Sequence, residues 1–187
     1  SRLALILGVG ALSGFIYGIS NRYNYHVRRV KLKFANLPEA FRGLKIVQIS
    51  DIHSGSFDNH EAVARGVQKV LDEKADLILF TGDLVNNKSD EVDGYQEIFS
   101  KIKAPMGVYS TLGNHDYGDY VHWPSKEEKH ENLERLKSIH AAMGWRLMMN
   151  EHTILQRGND QIALIGIENW SAKANFPKYG DMQKAYA

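Results

Sequence analysis

Three short stretches carry the side chains able to do chemistry: SDIH at 50–53, TGDLVN at 81–86 and LGNHD at 112–116. Each follows an apolar, β-prone run. Asp51, His53, Asp83, Asn114, His115 and Asp116 together offer carboxylate, imidazole and amide donors, a mixture that suits Mn²⁺, Fe or Zn²⁺ rather than soft metals. One carboxylate has two oxygens and can bridge two ions about 3.5–4 Å apart, an arrangement that activates a bridging hydroxide and neutralises a phosphoryl group under in-line attack. A histidine beside a carboxylate suits protonation of the departing oxygen. Singly, each stretch has an ordinary explanation. Asp-x-His is commonly a turn aspartate beside a surface histidine, Gly-Asp after a strand is usually a turn, and GNHD reads as an Asn-Gly type turn. The joint occurrence of all three favours a site.

The elements that must position them follow from periodicity. "LKIVQIS", "DLILF" and "VYSTL" read as strands. Between the first two, residues 58–74 read as a helix with Asp58 as N-cap and Glu61 at capping-box distance. Residues 89–102 read as a second helix with Val92, Tyr95, Phe99 and Ile102 inward. Ser125 and Glu128 open a third, closed by Gly144. "WRLMMNE" is a further strand, and "TILQRG" and "QIALIGIE" form a hairpin about Gly158-Asn159-Asp160. Alternation of strands and helices predicts an α/β fold with a mixed, largely parallel sheet and flanking helices. In such sheets ligands collect outside the carboxyl ends of the strands. That puts all six donor residues on one edge, with Gly82 and Gly113 permitting the backbone angles the turns need.

With 187 residues and a formal charge of +1 the chain has the bulk for one globular domain, and nothing in its charge points to nucleic acid. Zero cysteines exclude disulfides and thiolate metal sites. Residues 1–20 are apolar from Leu3 to Ile19 and read as a transmembrane segment, the last of several, with a buried core helix as the alternative. Gly10, Gly14 and Gly18 stand four apart, the spacing that lets membrane helices pack closely on one another. Arg22, Arg28, Arg29, Lys31 and Lys33 follow, able to face anionic headgroups on the cytoplasmic side. Alternation of Val30, Leu32 and Phe34 with Arg29, Lys31 and Lys33 favours a half-buried strand there. The expected localisation is therefore the membrane, with residues 21–187 as the N-terminal portion of a cytoplasmic domain.

SDIH, GDLVN and GNHD, with flanking text such as "GLKIVQISDIHSG" and "ADLILFTGDLVN", resemble the first three blocks of the calcineurin-like metallophosphoesterases, and look closest to their bacterial membrane-associated branch. The likeness runs roughly from Leu37 to Trp170. It implies a four-layer α-β-β-α sandwich of two mixed sheets and a dinuclear site for divalent Mn, Fe or Zn. In that site Asp51 and His53 would hold one ion, Asp83 would bridge both and Asn114 would hold the second. His115 would be the general acid, oriented by Asp116. The same likeness implies a later lone histidine and a Gly-His-x-His block, which these residues lack; His122, His130, His140 and His152 do not stand in that context and are expected to be structural or solvent-facing. A half-built site with little activity is the expectation for the 187 residues by themselves. Tyr117, Tyr120, His122 and Trp123 form an aromatic loop after GNHD, placed to cover a substrate, dip into lipid or pack on the Ser125 helix. Membrane and phosphoryl chemistry together point to a phosphorylated small molecule or a lipid-linked phosphate as substrate. Two rivals stand beside this reading: a non-catalytic membrane-tethered module with a degenerate metal site, and a nucleotide-binding α/β domain. No Gly-rich phosphate loop follows any strand, which disfavours the last.

Overall fold

The computed structural model describes residues 21–171 and 177–187. The segment read as membrane-spanning, 1–20, lies outside them, and no helix among the described residues is long and apolar enough to cross a membrane. Four parallel strands, β1 (Ile46–Ile49), β2 (Leu77–Phe80), β3 (Val108–Ser110) and β4 (Arg146–Leu147), form one sheet in sequential order. Helix α1 (His60–Asp72) connects β1 to β2, a short α2 (Gln96–Phe99) lies between β2 and β3, and α3 (Lys126–Ala142) precedes β4. The hairpin β5 (Glu151–Arg157) and β6 (Asp160–Gly166) makes a separate antiparallel pair, in register from Glu151 opposite Gly166 to Arg157 opposite Asp160. A last short helix, α4, spans Met182–Tyr186.

The core sits between the parallel sheet and its helices. Ile78 and Phe80 of β2, Val108 of β3, Val63 and Val67 of α1, and Leu136 and Ile139 of α3 are all buried in one cluster. Leu77, on the other face of β2, packs instead with Phe41 and Leu155 of the hairpin. Period-two alternation in β2 thus serves two separate apolar clusters.

Several expected elements change when tertiary partners are present. The cap of α1 is Asn59, whose side chain accepts from the Ala62 N–H; Asp58 accepts from Arg22 and Tyr23 instead. The helix expected over 89–102 is broken into a 3-10 turn at Ser89–Val92 and the single turn α2, with Gly94 between them. Glu91 is the cause. Its carboxylate takes the backbone N–H groups of Asn86, Asn87 and Lys88, binding the turn to the preceding loop rather than to a continuing helix. Val92, Tyr95, Phe99 and Ile102 are buried nevertheless. No strand forms at 30–34: Val30, Leu32 and Phe34 are 66%, 70% and 60% exposed. A cleft of about 1170 Å³ separates the Tyr25–Leu32 segment from β1, so the segment has no ladder to join. An unpaired ribbon is not stable in water.

His140 is wholly buried against Phe80 and Trp145, with neither ring nitrogen hydrogen-bonded among the described residues. Burial lowers its pKa from about 6.5 to about 4. The unfolded chain therefore takes the proton first as pH falls. The stability tied to neutral His140 is complete above pH 6.5 and shrinks by about 1.4 kcal/mol per pH unit until the folded state protonates near pH 4. Urea denaturation at pH 7.5 and 5.0 is expected to show the wild type losing about 2 kcal/mol more than His140→Leu. Equal losses would mean that the ring is solvated.

Candidate metal centre

Because β1, β2 and β3 are parallel and adjacent, the loops after them emerge side by side. Backbone bonds stitch the first two: Asp51 N–H to Gly82 O (3.0 Å), His53 N–H to Asp83 O (3.0 Å) and Ser54 N–H to Leu84 O (2.9 Å). The second and third are pressed together through glycines. A Cβ on Gly82, at φ +100°, would lie 2.2 Å from the Gly113 nitrogen, and one on Gly113 would lie 2.2 Å from Asp83 Oδ1. Asp51, His53 and Asp83 adopt φ of 55°, 50° and 61°. Left-handed backbone at non-glycine residues costs of order 1 kcal/mol each and persists where surrounding bonds enforce it, commonly at functional sites.

These contacts bring three donors together. Ligand atoms of His53, Asp83 and His115 all lie within 4.8 Å of one another. Asp83 Oδ1 accepts the His115 backbone N–H at 2.9 Å, and its Oδ2 lies 3.9 Å from His53 Nε2. The His53 and His115 rings meet edge to face at 4.7 Å. Ligands about 2.1 Å from a first-row cation lie roughly 3–4 Å from each other, so small side-chain rotations suffice and the donor set fits a divalent ion. Asp51 stands outside that triplet. Asp51 is exposed and its carboxylate accepts from the Ser50 hydroxyl. Asn114 donates through Nδ2 to the Tyr120 hydroxyl at 2.8 Å, and the Tyr120 ring lies 4.7 Å from that of His115.

Asp116 departs from the role the resemblance implied. Its Oδ2 accepts the N–H groups of Asp83 and Gly113, and its Oδ1 those of Leu84 and Val85. It is fully buried, and both oxygens are occupied by the second and third loops. Burial pushes its pKa up to about 7, while the backbone donors oppose that rise by favouring the ionised form. The His115 ring is held by a different group: its Nδ1 lies 2.8 Å from the Asn86 carbonyl. A carbonyl only accepts, so Nδ1 carries the proton and Nε2 is left to work at the donor cluster.

Sequence reasoning also passed over a supporting network. Tyr117 donates to Glu168 (2.9 Å) and stacks on Tyr179 at 4.0 Å, while Asn150 Nδ2 donates to the other Glu168 oxygen (2.6 Å). Burial and the neighbouring Glu168 both raise the Tyr117 pKa, keeping the phenol protonated as the donor. Tyr117 thereby fastens the GNHD loop to the segment after β6. Asn86 was visible within GDLVN, though nothing there marked its carbonyl; Glu168 and Asn150 had no local signal.

A parallel α/β sheet with histidine and carboxylate donors gathered at its strand ends presents a donor set that fits a divalent cation. The model of the calcineurin-like phosphoesterases matches residues 44–178, and the chain belongs to that family. It is 30% identical over 178 residues to a transmembrane protein with a metallophosphoesterase domain from Danio rerio, covering 91% of this chain and 38% of that protein. An uncharacterized metallophosphoesterase of Bacillus subtilis, YkuE, is 34% identical over 124 residues, 61% of this chain and 42% of its own length. UDP-2,3-diacylglucosamine pyrophosphatase LpxG of Chlamydia trachomatis is 33% identical over 106 residues, 54% of this chain and 32% of that enzyme. The chain thus spans well under half the length of these three relatives.

Proposed function

We propose that this chain serves a hydrolase that cleaves a phosphate ester or pyrophosphate with the help of two divalent cations. The convergence of His53, Asp83 and His115 within 4.8 Å carries the reading. In it, Asp51 and His53 would hold one ion, Asp83 would serve both, Asn114 would hold the second and His115 would give a proton to the leaving oxygen. Such ions, when bound, supply Lewis acidity toward phosphoryl oxygens and an ionisable water at neutral pH. The protein contributes the rest: three stitched loops that fix the donors, and the Asn86 carbonyl that sets the His115 tautomer. Mn²⁺, Fe and Zn²⁺ all suit these nitrogen and oxygen donors. The name of the chlamydial relative supports a nucleotide-activated, lipid-linked substrate, and that of the zebrafish relative supports a membrane setting.

In the full-length protein, hydrolysis of a phosphodiester panel is expected to vanish on chelation, return with Mn²⁺ or Zn²⁺, and fall at least about 100-fold in Asp83→Asn, which removes one anionic oxygen from the shared position. Undiminished turnover in Asp83→Asn would overturn the shared role.

A further inference from the structure

An asparagine that is to face a cation has a wrong end. Its amide presents an oxygen on one side and an NH₂ on the other, nearly equal in shape, and rotation about the last side-chain bond exchanges them. Something must hold the nitrogen away from the metal. At Asn114 the Nδ2 donates to the hydroxyl of Tyr120, 2.8 Å away, while the Tyr120 ring lies 4.7 Å from the ring of His115. Asn114 and His115 are consecutive, and the His115 backbone N–H is already fixed to Asp83 Oδ1.

We propose that Tyr120 is a positioning residue of the metal centre: its hydroxyl engages the NH₂ end of Asn114 and so leaves Oδ1 as the face offered to a cation. This rests on the metal-centre reading above. A phenol hydroxyl suits the task because it accepts from the amide with a lone pair and keeps its own proton for another acceptor, such as a phosphoryl oxygen of the substrate. Tyr120 is 46% exposed, so the residue lies at the solvent side of the cluster. Packing does not demand the residue there, as half its surface meets water; the amide and the imidazole are the partners that the structure gives it.

The test is Mn²⁺ uptake, followed by loss of the free-ion electron paramagnetic resonance signal, in the wild type, Tyr120→Phe, Asn114→Asp and the double variant. Phenylalanine keeps the ring against His115 and removes only the hydroxyl. The expected result is an approximately tenfold weaker second Mn²⁺ in Tyr120→Phe, the usual scale for losing a partner that orients a ligand. In the Asn114→Asp background the same change is expected to have no effect, because a carboxylate presents oxygen whichever way it turns. Equal weakening in both backgrounds would assign Tyr120 a merely structural role and overturn the inference. So would wild-type affinity in Tyr120→Phe alongside uptake that depends on Asp83. Uptake that is absent, or unchanged in Asp83→Asn, would instead overturn the metal-centre reading, and this inference with it.

Discussion

Asp116→Leu is expected not to fold at neutral pH, and Asp116→Asn to lose about 3 kcal/mol. Four backbone N–H groups, from Asp83, Leu84, Val85 and Gly113, end on this one buried carboxylate at 2.8–3.2 Å. Leucine fills the space and leaves all four donors unmet. An orphaned buried donor costs about 1–3 kcal/mol, so four cost about 4–12 kcal/mol, comparable with the total of roughly 5–15 for a domain. Asparagine keeps one oxygen and with it two of the four bonds. Its NH₂ would face the remaining two donors, which is worse than an empty place. Urea midpoints followed by circular dichroism measure both changes. An Asp116→Asn protein of wild-type stability would show that the loops hold without this knot, and would return Asp116 to the role of a group acting on His115.

How much of this was legible in the sequence depends on how local each signal is. β1, β2, β3 and the hairpin were read because apolar alternation and turn residues are contained within each segment. The donor residues at the strand ends were read because parallel strands with sequential helical connections must place their carboxyl ends together. What could not be read is decided by partners distant in sequence. Asp58 and Asn59 are both good caps, and only the arrival of Arg22 and Tyr23 from 35 or 36 residues away assigns Asp58 elsewhere. The 89–102 helix had the right buried face, but Glu91 spends its carboxylate on the loop before it. Val30, Leu32 and Phe34 alternate correctly for a strand, yet a strand exists only where another edge pairs with it. Asp116 illustrates the same limit at the site. Beside His115 in sequence it reads as the partner of that ring, whereas in space its oxygens face the backbone of the neighbouring loop. Motif adjacency set Asp116 beside His115 and carried no trace of the loop N–H groups that its oxygens accept.

The geometry at His115 allows two roles, and substitution separates them. With Nδ1–H committed to the Asn86 carbonyl, the working nitrogen is Nε2, and the ring lies within ligand reach of His53 and Asp83. As general acid, His115 matters in proportion to how badly the leaving oxygen needs a proton. His115→Ala is then expected to lower kcat by about 10²–10⁴ for an alkyl phosphodiester. The loss should be far smaller for a nitrophenyl ester, whose leaving group departs as a stable phenolate, and KM should change little. As a ligand, His115 would produce a different pattern: weaker Mn²⁺ uptake, and equal losses for good and poor leaving groups. The Asn86 carbonyl orients the ring for both patterns, so the substitution decides between them. Either way it leaves Nε2 as the nitrogen that meets the cluster. A leaving-group-independent loss accompanied by weakened Mn²⁺ uptake would move His115 from proton donor to ligand and leave the site in need of another acid.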